Sequence, residues 1–456
     1  MKNIPPKLVT PENLAGLIDL YELSMVASHF EQGREGMACF DLFVRRLPPN
    51  RSYLVFAGLE QAIRALTSLS FSPGVIRYLR TMGLFSRAFL SYLRGFRFRG
   101  HVDAMPEGTV FFPNEPVLRV TGNLIEAQLV ETILLNIVTH QSLIATKATR
   151  VVHAAQGRPV VEFGLRRSHG TDAGLQGARA AYVAGCVGSS NVLAGQIYGI
   201  PTLGTMAHSY VQAFRSELEA FRTFAESFPD GTTLLIDTYD PLQGARHAAQ
   251  VARELAARGG KLGAVRLDSG DLVRLSRKVR AILDRQGLRA VKIFASGNLS
   301  EFGIAEMCRR RAPIDAFGVG TEMSVSQDAP SLDSVYKLSE VEIDGKLVSR
   351  MKFSTGKATF PGRKQIYRRE KHGRYIGDVL GLEGEAIQGS PLLRPVLHAG
   401  KLLQRLPSLE TIRRHAAAEQ RRLPISLLRL HTVGRYPVRL SAGLRREIRR
   451  FRKSFS

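Results

Sequence analysis

Between residues 159 and 321 the chain keeps returning to one pattern. A short, apolar, β-prone run ends in polar residues, and in several cases an amphipathic helix follows. The runs are PVVEF (159–163), the stretch ending in PTLGT (201–205), TLLIDTY (233–239), GAVRLDS (263–269), VKIFASG (291–297) and DAFGVGT (315–321). Strands that are apolar throughout and separated by single helices imply a parallel sheet covered on both faces. The spacing predicts an α/β fold built on an irregular (β/α) barrel of TIM-like type, closed or partly closed. Among the connecting helices, LQGARHAAQVARELAARGG ends in glycines. DLVRLSRKVRAILDRQG sets Leu272, Leu275, Val279 and Ile282 on one face and stops at Gly287.

A parallel barrel gathers its strand C-termini on one face, where active sites are built. Here each run ends in chemistry: Glu162 before Arg166 and Arg167, Thr205 before His208, Asp237, Arg266 with Asp268, Ser296-Gly297-Asn298, and Gly318-Gly320-Thr321. One such ending could be chance, whereas six place the site at this mouth. The SGN and GVGT turns leave backbone N–H groups open to an anion, and arginines add positive charge. RLDSGD offers Asp268 and Asp271 beside Arg266, which suits a phosphate together with Mg²⁺ or ribose hydroxyls. Taken singly, GVGT also serves as a strand-to-helix turn, RLDSGD as a capped helix start, and a lone His208 as a surface histidine. Together they favour a sugar-phosphate or diphosphate ligand. No GxxxxGK[ST], no GxGxxG before a helix, no HExxH and no paired Cys/His ligands occur. NAD, flavin, haem and zinc are therefore not expected.

The flanks differ in rhythm. Residues 1–125 mix helical patterns with strand-like runs, YLVFAGL (53–59) and GTVFFPNEPVLRV (108–120), as an N-terminal α/β sandwich domain. Residues 126–330 form the barrel domain, opening on the long helix-patterned stretch 126–155, apolar on more than one face and so buried. Residues 331–400 alternate like antiparallel strands around an Asp344-Gly345 turn and are expected to pack back on the N-terminal domain. Residues 401–456 are a basic helical extension.

The net charge is +24, and the last 56 residues hold 15 Lys/Arg against 3 Glu. SAGLRREIRRFRKSF puts Leu444, Ile448, Phe451 and Phe455 at helical spacing, with Ser441 as a cap. We read it as a docked terminal helix with a solvated basic face, and nucleic acid is not expected as a partner because no RNA-binding aromatic motif accompanies it. No run approaches the ~20 apolar residues of a membrane span, and the start MKNIPPKLVTPENLAGLIDL has no secretory pattern. Three distant cysteines, Cys39, Cys186 and Cys308, fit a reducing compartment. A cytoplasmic protein with no membrane partner is expected.

The stretch EFGLRRSHGTDAGLQGARAAYVAGCVGSSNVLAGQIYGIPTLGTMAHSYVQAF (162–214) resembles the nicotinate phosphoribosyltransferases. So do LIDLYELSM (17–25), NEPVLRV (114–120), RLDSGDL (266–272), FASGNL (294–299), FGVGTEM (317–323), SLDSVYKL (331–338) and GRKQIY (362–367), in collinear order. The resemblance implies a type II phosphoribosyltransferase fold and a homodimer. It also implies nicotinate, phosphoribosyl diphosphate and ATP as substrates, with Mg²⁺ accompanying them. In it the histidine of GTMAHS, His208, is a phosphohistidine. Tyr21, reaching a partner's site, would bind nicotinate with Thr205, Arg266, Phe163 and Ser190. Arg166, Ser296, Gly297, Gly318, Gly320 and Thr321 would hold phosphoribosyl diphosphate, and Asp268 ribose hydroxyls or Mg²⁺. Rival expectations are another pyridine phosphoribosyltransferase, using nicotinamide or quinolinate, and a non-catalytic binding protein on the same scaffold.

Overall fold

The computed structural model describes residues 9–354 and 356–453. The first eight residues of the start that was read for a secretory pattern, and Phe455 of the terminal helix, lie outside them. The chain divides into two units, one formed by Met1–Leu143 with Ser331–Ser456 and the other by Ile144–Pro330.

In the first unit a seven-stranded antiparallel sheet runs Lys346–Ser349, Ser334–Ile343, Met37–Val44, Pro116–Asn123, His101–Ala104, Arg394–His398, Lys401–Leu402. Strands from both ends of the sequence are therefore interleaved, with Ser334–Ile343 paired along Met37–Val44 (Leu42 opposite Tyr336). The hairpin after Ile343 turns at Asp344 (φ 50°) and Gly345 (φ 72°), the left-handed pair that an Asp-Gly turn favours. YLVFAGL is strand only at Leu54–Val55. Gly58, at φ 98°, ends the extended run and the helix Leu59–Ser68 begins. The terminal helix Ala442–Lys453 is docked: Leu444 is buried, Phe451 packs on Phe353, and Ser441 caps the Leu444 amide at 3.0 Å. Its arginines at 445, 446, 449, 450 and 452 are exposed.

The second unit carries a six-stranded, wholly parallel sheet in the order Gly188–Ser189, Val160–Glu162, Ala316–Val319, Lys292–Ala295, Lys261–Leu267, Asp230–Leu235. Among the described residues no pairing joins Asp230–Leu235 to the opposite edge, so the sheet is an open, curled half-barrel. The expected strand at PTLGT is reduced to a single bridge between Ser189 and Thr202. Proline has no N–H for a ladder, which accounts for the weakness of this run. The edge strand is instead Gly188–Ser189, too short and polar to give a hydrophobic signal. A Cβ on Gly188 would stand 2.5 Å from the Pro201 carbonyl oxygen, so glycine permits this close approach.

Two helical expectations also change. The helix Leu272–Arg285 buries Val273, Ser276, Val279 and Leu283, one position round from the face read in the sequence, while Leu272, Leu275 and Ile282 are half-buried. The long helical stretch breaks at Val130 into Leu124–Leu129 and Glu131–Ala154. Contrary to the sequence reading, Leu124–Ala154 is long and apolar enough to cross a membrane, but 72% of its most apolar window is buried inside the protein, as in a core helix.

Candidate active site

Arg266 stands near the C-terminal end of the strand Lys261–Leu267. Its Nε donates to Ser296 Oγ (2.8 Å), Nη1 to Thr205 Oγ1 (2.7 Å) and the Met206 carbonyl (3.1 Å), and Nη2 to Asp268 Oδ1 (2.7 Å). The guanidinium lies 5.9 Å from the centroid of the Phe163 ring. Phe163, Thr205, Arg266, Asp268 and Ser296, distant in sequence, thus form one cluster at the strand ends. Burial pushes the Asp268 carboxyl up. Hydrogen bonds from Arg266 and Ser296, with the charges of Arg266 and His208, outweigh this and hold it below its ordinary value.

His208 opens the short helix His208–Gln212. Its Nδ1 is 3.1 Å from Thr238 Oγ1, and its Nε2 is 3.9 Å from Asp268 Oδ2. The two ring nitrogens therefore meet different partners, a hydroxyl at Nδ1 and a carboxylate at Nε2. The sequence gives His208 no nearby carboxylate; the parallel crossover supplies one from a strand sixty residues on. Asp237, after the strand Asp230–Leu235, ties the cluster from below. Its Oδ2 accepts the Asp268 amide (2.7 Å) and the Ser269 hydroxyl (2.8 Å), while its buried Oδ1 has no partner.

The glycine turns lie against this cluster. Gly297 has φ 86°, and a Cβ there would meet the Asp268 carbonyl oxygen at 1.8 Å. A Cβ on Gly318 would come within 2.6 Å of the Phe163 ring, and one on Gly320 within 3.3 Å of the Phe163 carbonyl. Thr321 follows as the first residue of the helix Thr321–Ser324. On the other flank the buried Glu162 carboxylate accepts the Gly164 amide and the Ser189 hydroxyl, and its carbonyl accepts the Ser190 amide at 2.9 Å. Burial pushes this carboxyl up. Asn191 caps the helix Val192–Tyr198, through the Ala194 amide at 3.1 Å. Ser190 therefore sits one residue ahead of the cap.

Arg166 lies exposed in the turn Leu165–Arg167, and among the described residues no hydrogen bond or ion pair joins it to the Arg266 cluster. Tyr21 belongs to the first unit, on the helix Leu20–Glu31. It is 52% exposed, and its hydroxyl donates to Glu22 Oε1 at 3.2 Å. Burial pushes the Glu22 carboxyl up to about 7. Sequence reasoning gave Thr238 no role and left Asp237 and Glu162 as unassigned strand endings. Their position at those ends was the available signal; their partners lie on other crossovers.

The chain matches three family descriptions in succession: the nicotinate phosphoribosyltransferase N-terminal domain over residues 17–139, the nicotinate phosphoribosyltransferase family over 159–376, and its C-terminal domain over 385–447. It is 50% identical over 436 residues to nicotinate phosphoribosyltransferase pncB2 of Mycobacterium tuberculosis, covering 95% of this chain and 93% of that one. It is 44% identical to the nicotinate phosphoribosyltransferase of Bacillus subtilis, over 82% of this chain and 78% of that one. The crystal structure of human nicotinic acid phosphoribosyltransferase superposes with a TM-score of 0.85 at 30% identity, over 95% and 99% of the two chains. This chain belongs to the nicotinate phosphoribosyltransferase family.

Proposed function

We propose that the chain joins nicotinate to phosphoribosyl diphosphate, giving nicotinate mononucleotide and diphosphate for NAD biosynthesis, and couples this to ATP hydrolysis through a phosphorylated His208. The observation that carries the reading is the convergence of Arg266, Thr205, Asp268 and His208 at the strand ends of the parallel sheet. The pyridine nitrogen attacks the anomeric carbon of the ribose as the C–O bond to diphosphate breaks. No protein base takes part, so the rate rests on positioning and charge stabilisation. Arg266 and Thr205 face the carboxylate of nicotinate, Phe163 packs on the ring, and Ser190 adds a neutral hydroxyl beside it. Ser296, Gly297, Gly318, Gly320 and Thr321 offer backbone and hydroxyl donors to the phosphates, and Arg166 adds charge from the rim.

In the coupling step His208 Nε2 attacks the γ-phosphorus of ATP, the bond to the bridging oxygen breaks, and ADP leaves. Thr238 holds the Nδ1 proton. Water later cleaves the N–P bond to release phosphate. Mg²⁺ fits the oxygen donors here: Asp237 has a buried, unpartnered Oδ1, and Asp268 is held ionised. Among the described residues no cluster of three or more metal-ligating side chains occurs, which suits a metal carried in with diphosphate or ATP. Bound there, it would neutralise phosphate charge. A homodimer, with Tyr21 serving the partner's site, completes the reading.

The test is incubation with phosphoribosyl diphosphate and each of nicotinate, nicotinamide and quinolinate, with and without γ-phosphate-labelled ATP. Nicotinate should be the substrate, ATP should be hydrolysed, and acid-labile label should appear on the protein but not on His208→Ala. Preference for either other pyridine, or label retained by His208→Ala, would overturn it.

A further inference from the structure

The segments that follow the two glycine turns meet in a buried charge cluster that the reaction does not explain. Lys147 projects from the helix Glu131–Ala154 and is fully buried. Its Nζ is 2.5 Å from Glu301 Oε2, 2.9 Å from Asp328 Oδ1 and 3.3 Å from Glu322 Oε2. One turn along, Arg150 Nε donates to the other Glu301 oxygen at 2.9 Å, with its guanidinium over the Phe302 ring.

The sequence positions of these carboxylates matter. Glu301 is the first residue of the helix Glu301–Arg309, which begins three residues after Ser296-Gly297-Asn298. Glu322 follows Thr321 directly, and Asp328 lies six residues further on. One ammonium thus ties together the segments leaving both turns. Burying an ammonium costs several kcal/mol unless it is fully paired, so the arrangement persists only while all three segments hold their places. Burial pushes the Glu301 carboxyl up, but Lys147 and Arg150 bring it below its ordinary value, so it stays a charged partner.

We infer that Lys147 is a positioning residue for phosphoribosyl diphosphate: it touches no substrate, and it fixes the spacing between the Ser296-Gly297-Asn298 and Gly318–Thr321 turns so that both hold the same ligand. This rests on the proposed function, in which those turns bind the phosphates. Nicotinate depends on Arg266, Thr205 and Phe163; among the described residues none of these bonds to Lys147, but Arg266 and Phe163 adjoin the two turns, so nicotinate should respond in the same direction and less strongly.

The test is calorimetric titration of the full chain with phosphoribosyl diphosphate alone, alongside steady-state KM values for both substrates. Lys147→Met should weaken phosphoribosyl diphosphate about 10- to 100-fold, the usual range when a residue supporting a ligand shell is removed, and change the KM for nicotinate less than about 3-fold. If Lys147→Met does not fold, Glu322→Ala, at a partly exposed position, carries the test. It should weaken the same ligand with the fold retained by circular dichroism, and Glu322→Gln, which keeps an acceptor for Nζ, should recover most of the loss. Equal weakening of both substrates, or normal phosphoribosyl diphosphate binding by Glu322→Ala, would overturn the inference. Thr321→Ala separates the two levels. If it too binds normally, the placement of the phosphates fails; if it alone loses binding, only the role of Lys147 fails.

Discussion

Four of the five N–H donors of Arg266 are engaged by Ser296, Thr205, Met206 and Asp268. One Nη2 donor remains, so in the proposed function Arg266 both orders the strand-end cluster and binds substrate. Arg266→Ala removes the charge, leaves Asp268 with Ser296 but without its cationic partner, and frees Thr205. Losing one member of a buried, hydrogen-bonded charge pair costs about 2–5 kcal/mol. We expect kcat/KM to fall by roughly 30- to several-thousand-fold with the circular dichroism spectrum unchanged, and near-normal efficiency would remove Arg266 from the site. Lysine cannot reproduce four divergent donors, so Arg266→Lys should recover little. Ser190 belongs, in the proposed function, to the choice of pyridine. Its amide is anchored to the Glu162 carbonyl, which fixes its backbone, and on that reading a carboxylate there would stand near the substrate carboxylate. At ~4 Å and an effective dielectric near 20, that repulsion is on the order of 4 kcal/mol before screening. Ser190→Asp should therefore lower the nicotinate-to-nicotinamide efficiency ratio by at least about tenfold. An unmoved ratio would assign discrimination elsewhere.

Two glycines with nearly the same backbone show what an element demands of its loops. Gly287 (φ 75°) ends a helix in open space, whereas Gly297 (φ 86°) turns against the Asp268 carbonyl. Alanine at either position takes a left-handed conformation at about 1 kcal/mol. At Gly287 that should be the whole effect, a small loss in Tm with kinetics unchanged. At Gly297 the added methyl must also push the turn off Asp268, displacing Ser296 and the charge network together. Gly297→Ala should lose at least about a hundredfold in kcat/KM; equal behaviour of the two variants would show that the turn is not in the site. Such packing is what the sequence could not reveal. The apolar runs at 160, 234, 265, 293 and 317 were legible because burial on both faces leaves a continuous hydrophobic signal. Gly188–Ser189 carries no such signal, because its place is set by the backbone of Pro201. The helix Leu272–Arg285 was legible as a helix, yet its buried stripe was read one residue off, since Leu272, Leu275 and Ile282 match the period as well as Val273, Val279 and Leu283 do. The endings themselves were visible in sequence, but which of them meet, His208 with Thr238 and Asp268 above all, depends on strand order.

At the scale of the whole molecule, the interleaved first unit shows why residues 331–400 cannot be a separate appendage: Ser334–Ile343 lies inside the sheet, between Lys346–Ser349 and Met37–Val44. The helix Ala442–Lys453 turns Leu444 into the interior and leaves Arg445, Arg446, Arg449, Arg450 and Arg452 exposed. The feature of the first unit that the proposed function draws on is Tyr21. It is a large, half-exposed aromatic on a helix that also exposes Leu20 and Met25, beside the buried Glu22. In a twofold dimer each copy gives its partner what it receives. If Tyr21 serves the partner's site, Tyr21→Ala and His208→Ala spoil a site from opposite chains. A mixed dimer then has one site lacking both groups and one site intact. Random reassortment makes half the dimers mixed, each with half its sites working, so mixing two inactive variants should restore about a quarter of wild-type activity. If Tyr21 serves the site of its own chain, every site in the mixture lacks one group and no activity returns. The measurement is activity after the two variants are co-expressed with different tags and the doubly tagged species is isolated; that species should work at about half the wild-type rate per dimer. A doubly tagged dimer with no activity above its parents would exclude exchange of Tyr21 between subunits, and failure to obtain any doubly tagged species would exclude the dimer itself.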